Sequence, residues 1–268
     1  MGGIVITPVV RTLLLINVGI YAVQALLNLP LDDWLGYHYI HSSEFQPYQL
    51  ITFMFVHANF DHLFSNMLGL FFFGPVLEHV LGQKRFLVLY MVAGVGGGLL
   101  YGALNYYEVH QIEVAAREFL NSPTPELFQQ FITDHGTAVG TWLSQNEAYA
   151  LAYDQLPAHP ESAALIDKAS FIVKEIYGFF SGIPMVGASG AIFGILIGFG
   201  YLFPNKQIML LIPPIPMKAK YLIGAYLAYE VYMLWRQNPG DNVAHLAHLG
   251  GALFAFILLR NWGYKPMS

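Results

Sequence analysis

Ser189 and His248 are the residues in this chain whose types and settings suit nucleophilic chemistry. Gly187-Ala188-Ser189-Gly190 opens one apolar stretch, and Ala247-His248-Leu249-Gly250-Gly251 lies within another. A serine hydroxyl needs a base in hydrogen-bond reach, and an imidazole of near-neutral pKa is the usual choice. His62 and Asn66 stand one helical turn apart and so share a face. Polar groups inside apolar segments are costly and are functional candidates by default; their plainer role is interhelical hydrogen bonding. Beside a serine nucleophile, both could donate to a developing oxyanion, joined by the Ser189 amide at a helix N-terminus. That set of groups suits acyl transfer, and hence peptide-bond cleavage, inside a membrane.

His245 is the rival base, three residues before His248 and on nearly the same face. His248 is favoured because it is deeper in its apolar stretch and is followed, three residues on, by Gly251. No acidic residue within the apolar stretches is a convincing third member, and Asp241 precedes His248 by seven residues near the edge, so a Ser–His dyad is the expectation. Phe193, one turn after Ser189, is placed to stack on the imidazole; ordinary packing is its plainer role. Glu78 is read as an anchor for the loop at Gln83-Lys84-Arg85, Asp61 as a cap for the helix that starts beside it, and His57 as a cavity-lining residue.

The elements that must hold these residues are apolar helices. The chain has 268 residues, of which 56% are hydrophobic and only 11% charged. A soluble globular domain carries about 25% charged residues, so the deficit points to a membrane protein. Cysteine is absent, which excludes thiolate chemistry and disulfides. A span needs about 20 mostly apolar residues, and six segments qualify: Val9–Leu29, Phe60–Leu81, Arg85–Asn105, Gly187–Phe203, Met217–Trp235 and Val243–Trp262. The first is too long for a signal-peptide core and lacks a small-residue cleavage site, so a retained span is expected.

If the six alternate, Arg11, Lys84, Arg85, Lys206, Lys218, Lys220, Arg260 and Lys265 fall on one side, which should be the cytoplasm together with both termini. The fourth span is short; at about 1.5 Å per residue it falls below a hydrocarbon core of about 30 Å. Ser189 would then sit below the outer surface, reached through a water-filled cavity. Gly190, Gly194 and Gly198 repeat every four residues, as do Ala247, Gly251 and Ala255. Small residues at that spacing let helix backbones approach closely, and two facing ridges would bring Ser189 to His248.

Composition changes between Tyr106 and Ile183. The stretch holds ten acidic residues (Glu108, Glu113, Glu118, Glu126, Asp134, Glu147, Asp154, Glu161, Asp167 and Glu175) against Arg117, Lys168 and Lys174. It reads as a soluble, helical, outer-face insertion that serves as a cap or a substrate-selecting domain. Thr124-Pro125-Glu126 predicts a helix start and Gly136 its stop, and a further helix is expected from Pro160-Glu161 toward Phe180.

Taken together, His62-Leu63-Phe64-Ser65-Asn66, Gly74 with Glu78, Gly187-Ala188-Ser189-Gly190 and Ala247-His248-Leu249-Gly250-Gly251 resemble the rhomboid family of intramembrane serine proteases. The resemblance implies an all-α polytopic membrane protein, a bundle of six transmembrane helices. Membrane helices one to three would occupy residues 1–105, the extracytoplasmic helical insertion 106–183, and helices four to six 184–268. It implies a serine-type endopeptidase with Ser189 as nucleophile and His248 as general base. His62, Asn66 and the Ser189 amide would form the oxyanion site, supported by Gly187, Gly190, Phe193 and Gly251. It implies no cofactor and no metal. The expected partners are the lipid bilayer and single-span membrane-protein substrates, with no nucleic acid, and the expected location is a prokaryotic inner membrane. The family often has a Trp-Arg pair in its first outer loop, where this chain has Tyr48-Gln49. A catalytically silent relative that binds membrane proteins is the runner-up, and a small transporter a third class.

Overall fold

The computed structural model describes residues 5–136, 139–209, 215–236 and 243–267. Helix α1 (Pro8–Leu27) begins with proline in its first turn and ends at Asn28, whose left-handed backbone (φ 49°) lets its amide close on the Gln24 carbonyl. Two short helices, α2 (Leu31–Leu35) and α3 (Gln49–Thr52), and a 3₁₀ turn at Phe53–Phe55 follow. Next, α4 (Phe60–Asn121) is broken at Gly82, where φ is +76°, a conformation that glycine adopts at little cost. Its start is capped by Asn59, whose Oδ1 accepts the His62 amide at 2.9 Å, and not by Asp61. Asn59 precedes the helix and so can reach the orphan amides of the first turn.

The second leg of α4 does not stop at Asn105 as expected. Between Asn105 and Asn121 the sequence offers no glycine or proline, and the helix persists until Ser122-Pro123. Then come α5 (Pro125–His135), α6 (Gly140–Ser144), α7 (Glu147–Gln155) and α8 (Ala163–Gly182). The start of α5 is as the sequence suggests: Thr124 Oγ1 accepts the Leu127 amide at 3.3 Å, and Gly136 closes the helix. Helix α8 begins three residues later than Pro160 would have it, because turns occupy residues 156–158 and 160–161.

The last part comprises α9 (Ser189–Leu202), an antiparallel pair β1 (Gln207–Met209) and β2 (Pro216–Lys218), α10 (Ala219–Arg236) and α11 (His245–Asn261). The strand pair was not foreseen; it takes up Met217, which the sequence reading gave to the fifth span.

The chain divides into two compact units. One comprises residues 1–37, 45–102 and 184–268; the other comprises 38–44 and 103–183. The first has a core built from α1, α4, α9 and α11, with Leu70, Leu77, Phe86, Ala93, Ala191 and Ile195 fully buried. The second has its own apolar core around Phe119, Phe128, Phe131 and Ile172.

By length and composition, α1 and α4 can cross a membrane, and α9 is a shorter apolar helix. The outward surface of the first unit is greasy: Leu15, Leu26, Tyr229, Val231, Trp235 and Leu253 are all at least half exposed. Glu78 is buried and reaches α1 rather than the loop after it. It accepts from the Thr7 hydroxyl and from the Val9 and Val10 amides at 3.0 and 2.9 Å. Those amides lack intrahelical acceptors and sit at the positive end of the helix dipole, which makes them better partners for a carboxylate than a solvated loop. Gly74, one turn earlier, gives α1 room: a Cβ there would lie 2.7 Å from Val10.

Candidate active site

The segment that leads to Ser189 is held on both edges. Met185 and Tyr37 exchange backbone hydrogen bonds of 2.9 Å, and the Gly187 amide donates to the Phe53 carbonyl at 2.9 Å. Gly187 then turns with φ +120°, a conformation that side-chain-bearing residues rarely adopt. It must be glycine for a second reason: a Cβ would lie 2.5 Å from Cε1 and Nε2 of His62. That backbone is incompatible with a helix, so α9 starts at Ser189 and not at Gly187. As the first residue of α9, Ser189 has an amide without an intrahelical acceptor. Its side chain is half-buried.

Helices α9 and α11 meet backbone to backbone. A Cβ on Gly251 would overlap the Gly190 carbonyl, and one on Gly194 would lie 3.3 Å from Ala255. The two small-residue ridges therefore face each other. The second leg of α4 adds a third small-residue surface that the sequence reading passed over: a Cβ on Gly97 would strike the Ala247 carbonyl, and one on Gly94 would lie 3.4 Å from Ala191.

Phe193 lies flat on the His248 ring, with centroids 4.3 Å apart and planes 9° from parallel. Ser189 precedes Gly190 and stands one turn before Phe193, so contacts on either side of it, to Gly251 and to His248, fix it against α11. His62 lies on the first leg of α4, its ring edge-on to His57 at 5.1 Å. His57 is fully buried, and neither of its ring nitrogens has a hydrogen-bond partner among the described residues. Asn66, one turn after His62, is buried, and its amide Nδ2 is likewise unpartnered. A buried donor without an acceptor is uncommon and calls for a reason.

The residue that sequence reasoning missed is Glu230. It is 3% exposed, and its Oε2 lies 2.6 Å from His245 Nδ1 and 2.9 Å from His248 Nδ1. An acidic residue therefore does contact the imidazole of His248, contrary to expectation. The signal was present: a lone carboxylate inside an apolar helix. Asp241 lies outside the described residues. Glu230, His245 and His248 are also grouped closely enough to hold a metal ion, as are His41, His110 and Glu113 in the second unit.

In the first loop Tyr48 is half exposed, while Gln49 is buried. Gln49 Oε1 accepts the Gln46 amide at 3.0 Å, and its Nε2 donates to the Trp34 carbonyl at 3.3 Å.

The family model described as the rhomboid domain matches residues 44–111 and 162–262, more than half of the chain. This chain belongs to the rhomboid family. The match skips residues 112–161, the middle of the second unit, and includes Ser189 and His248. Among curated rhomboid relatives, Rhomboid protein 1, mitochondrial, of Saccharomyces cerevisiae is 26% identical over 207 residues, 76% of this chain and 38% of that one. Rhomboid protease AarA of Providencia stuartii is 29% identical over 118 residues, 41% of this chain and 40% of that one. RHOMBOID-like protein 12, mitochondrial, of Arabidopsis thaliana is 25% identical over 210 residues, 78% of this chain and 44% of that one. The matched segments thus span less than half the length of these relatives. Membership makes the chain a membrane-embedded, predominantly helical protein of a family that includes named proteases.

Proposed function

We propose that this rhomboid is an intramembrane serine endopeptidase that cleaves single-span membrane proteins. The observation that carries the reading is the close crossing of α9 and α11, with Phe193 stacked on His248 one turn from Ser189. His248 takes the Ser189 proton as Oγ attacks a substrate carbonyl. The oxyanion is met by the Ser189 amide, His62 and Asn66. His248 then protonates the leaving amine, and water releases the acyl group by the reverse sequence. The unpartnered Asn66 amide fits this role, since an oxyanion donor has its acceptor only when substrate is bound.

In the same reading six helices cross the bilayer: α1, the two legs of α4, α9, α10 and α11. The basic residues near Lys84, Lys206, Lys218 and Arg260 face the cytoplasmic side of a prokaryotic inner membrane. By the same alternation, the acidic stretch 106–183 follows the third span on the outer side of the membrane. The printed names of two relatives place those proteins in mitochondria. The test is cleavage of a tagged single-span reporter by purified protein in liposomes, with Ser189→Ala and His248→Ala as comparisons. Loss in both variants, each folded, supports the assignment; cleavage that survives Ser189→Ala removes it.

A further inference from the structure

The Ser189–His248 pair leaves one buried charge unexplained. Helix α10 turns apolar and aromatic side chains outward, Tyr221, Tyr226, Tyr229, Val231, Tyr232 and Trp235 among them, yet buries Glu230. An ionised carboxylate costs several kcal/mol to bury, and is retained only where it is paired and hydrogen-bonded. Here both partners are imidazoles, and both present Nδ1 to the same oxygen.

That geometry fixes chemistry at His248. A carboxylate only accepts hydrogen bonds, so the 2.9 Å contact requires the proton on Nδ1 of His248. A neutral ring with Nδ1 protonated carries its lone pair on Nε2, the nitrogen at the far edge. Phe193 sets the plane of the same ring, at 9°. One contact holds the ring's plane, and the other its rotation within that plane and its tautomer.

We propose that Glu230 is a positioning residue: it holds His248 in the Nδ1–H form, presents Nε2 to Ser189, and stabilises the imidazolium formed during attack. The inference rests on the Ser189–His248 reading above and changes its architecture from a dyad to a Ser189–His248–Glu230 arrangement. His245 supplies a second donor that keeps the carboxylate aligned. In the step itself the Ser189 O–H bond breaks, the Oγ–carbon bond forms, and the proton moves to His248 Nε2. Glu230 remains ionised throughout and accepts from Nδ1 before and after; the proton on Nε2 passes on to the leaving amine. Among the described residues, His62 on α4 acts on His248, and Tyr226 on α10 and His245 on α11 act on Glu230.

The experiment compares Glu230→Gln, Glu230→Asp and Ser189→Ala with the parent in liposomes, following kcat and KM for reporter cleavage together with thermal unfolding. Glu230→Gln is expected to lower kcat on the order of 10²- to 10⁴-fold with KM little changed. Glu230→Asp should recover part of kcat. A purely structural tie between α10 and α11 would lower stability while the folded Glu230→Gln protein kept its kcat, and that result overturns the proposal. Should Glu230→Gln fail to fold, ¹⁵N NMR of the parent decides, with His248→Ala assigning the signal: an Nδ1–H tautomer at His248 is expected, and an Nε2–H tautomer overturns it. Activity lost to a chelator and restored by Zn²⁺ would also overturn it, making the three side chains metal ligands. Cleavage that persists in Ser189→Ala would instead remove the underlying reading, a failure distinguishable from all of these.

Discussion

Phe193 and His248 lie ring on ring, 4.3 Å between centroids and 9° from parallel, and Tyr226 stacks on Phe193 at 5.2 Å. The imidazole thus ends a stack that runs from α10 through α9 to α11. Offset aromatic stacking adds about 0.5–1.5 kcal/mol beyond buried area, a modest figure for stability but enough to fix a base. Phe193→Leu keeps the apolar bulk and removes the ring. Its kcat is expected to fall between about 2- and 12-fold, the equivalent of that energy, and Phe193→Tyr should stay near the parent. A full-rate Phe193→Leu would show that the stack is packing alone.

Asn66 separates catalysis from packing more sharply. Its Nδ2 is buried without an acceptor, so truncation forfeits no hydrogen bond from that group in the resting protein. Asn66→Ala is expected to lower kcat by about 10²- to 10³-fold, or 2.7–4 kcal/mol of transition-state stabilisation, while the unfolding midpoint moves little. The opposite pattern, a clear loss of stability with cleavage retained, would make Asn66 an interhelical tie. Thermal unfolding and single-turnover cleavage on the same preparation give both numbers.

The glycines make an internal control. A Cβ on Gly251 overlaps the Gly190 carbonyl, whereas one on Gly224 in α10 meets nothing within 4 Å. Gly251→Ala forces α9 and α11 apart, an overpacking cost of about 1–3 kcal/mol, and moves the helix that carries His248; both stability and cleavage should fall. Gly224→Ala should raise stability by about 0.5–1 kcal/mol and leave cleavage alone. Equal effects of the two substitutions would contradict the backbone contact.

Much of this site was legible because its requirements are local. The four-residue spacing of Gly190, Gly194 and Gly198 advertises a close-packed face, whereas the turn at Gly187 was read as the start of the span. What escaped depends on tertiary partners. Glu78 reads as a loop anchor until α1 is seen to lay its first amides on it. Glu230 escaped although the rule that flagged His62 and Asn66, that an ionisable group inside an apolar span needs a reason, applies to it with more force. Its partners lie 15 and 18 residues away on another helix, beyond any local pattern. The run of α4 past Asn105 was legible in principle, since nothing before Pro123 could stop it; a change in composition was mistaken for a change in element.

The second unit has a titrating group of its own, Glu113. Glu113 is buried, and burial alone would raise its pKa. Hydrogen bonds from His41, Tyr39 and His110, with the Arg117 charge, outweigh that and hold it at about 2, below the ordinary 4.5. Tyr39 donates to Oε2 at 2.8 Å, and Arg117 to Oε1 at 2.6 Å. A carboxyl whose folded pKa is depressed adds stability that is fully present above its unfolded value and is lost as pH falls through the folded one. The second unit should therefore hold its stability at pH 5 and above, and lose the Glu113 contribution progressively between about pH 4.5 and 2. Hydrogen exchange at Phe119, Phe128 and Ile172, which line its core, should quicken over that window relative to core amides of the first unit. In Glu113→Gln the same amides should exchange faster at pH 7 and show a smaller change on acidification. Parallel acid profiles in parent and variant would remove Glu113 as the cause.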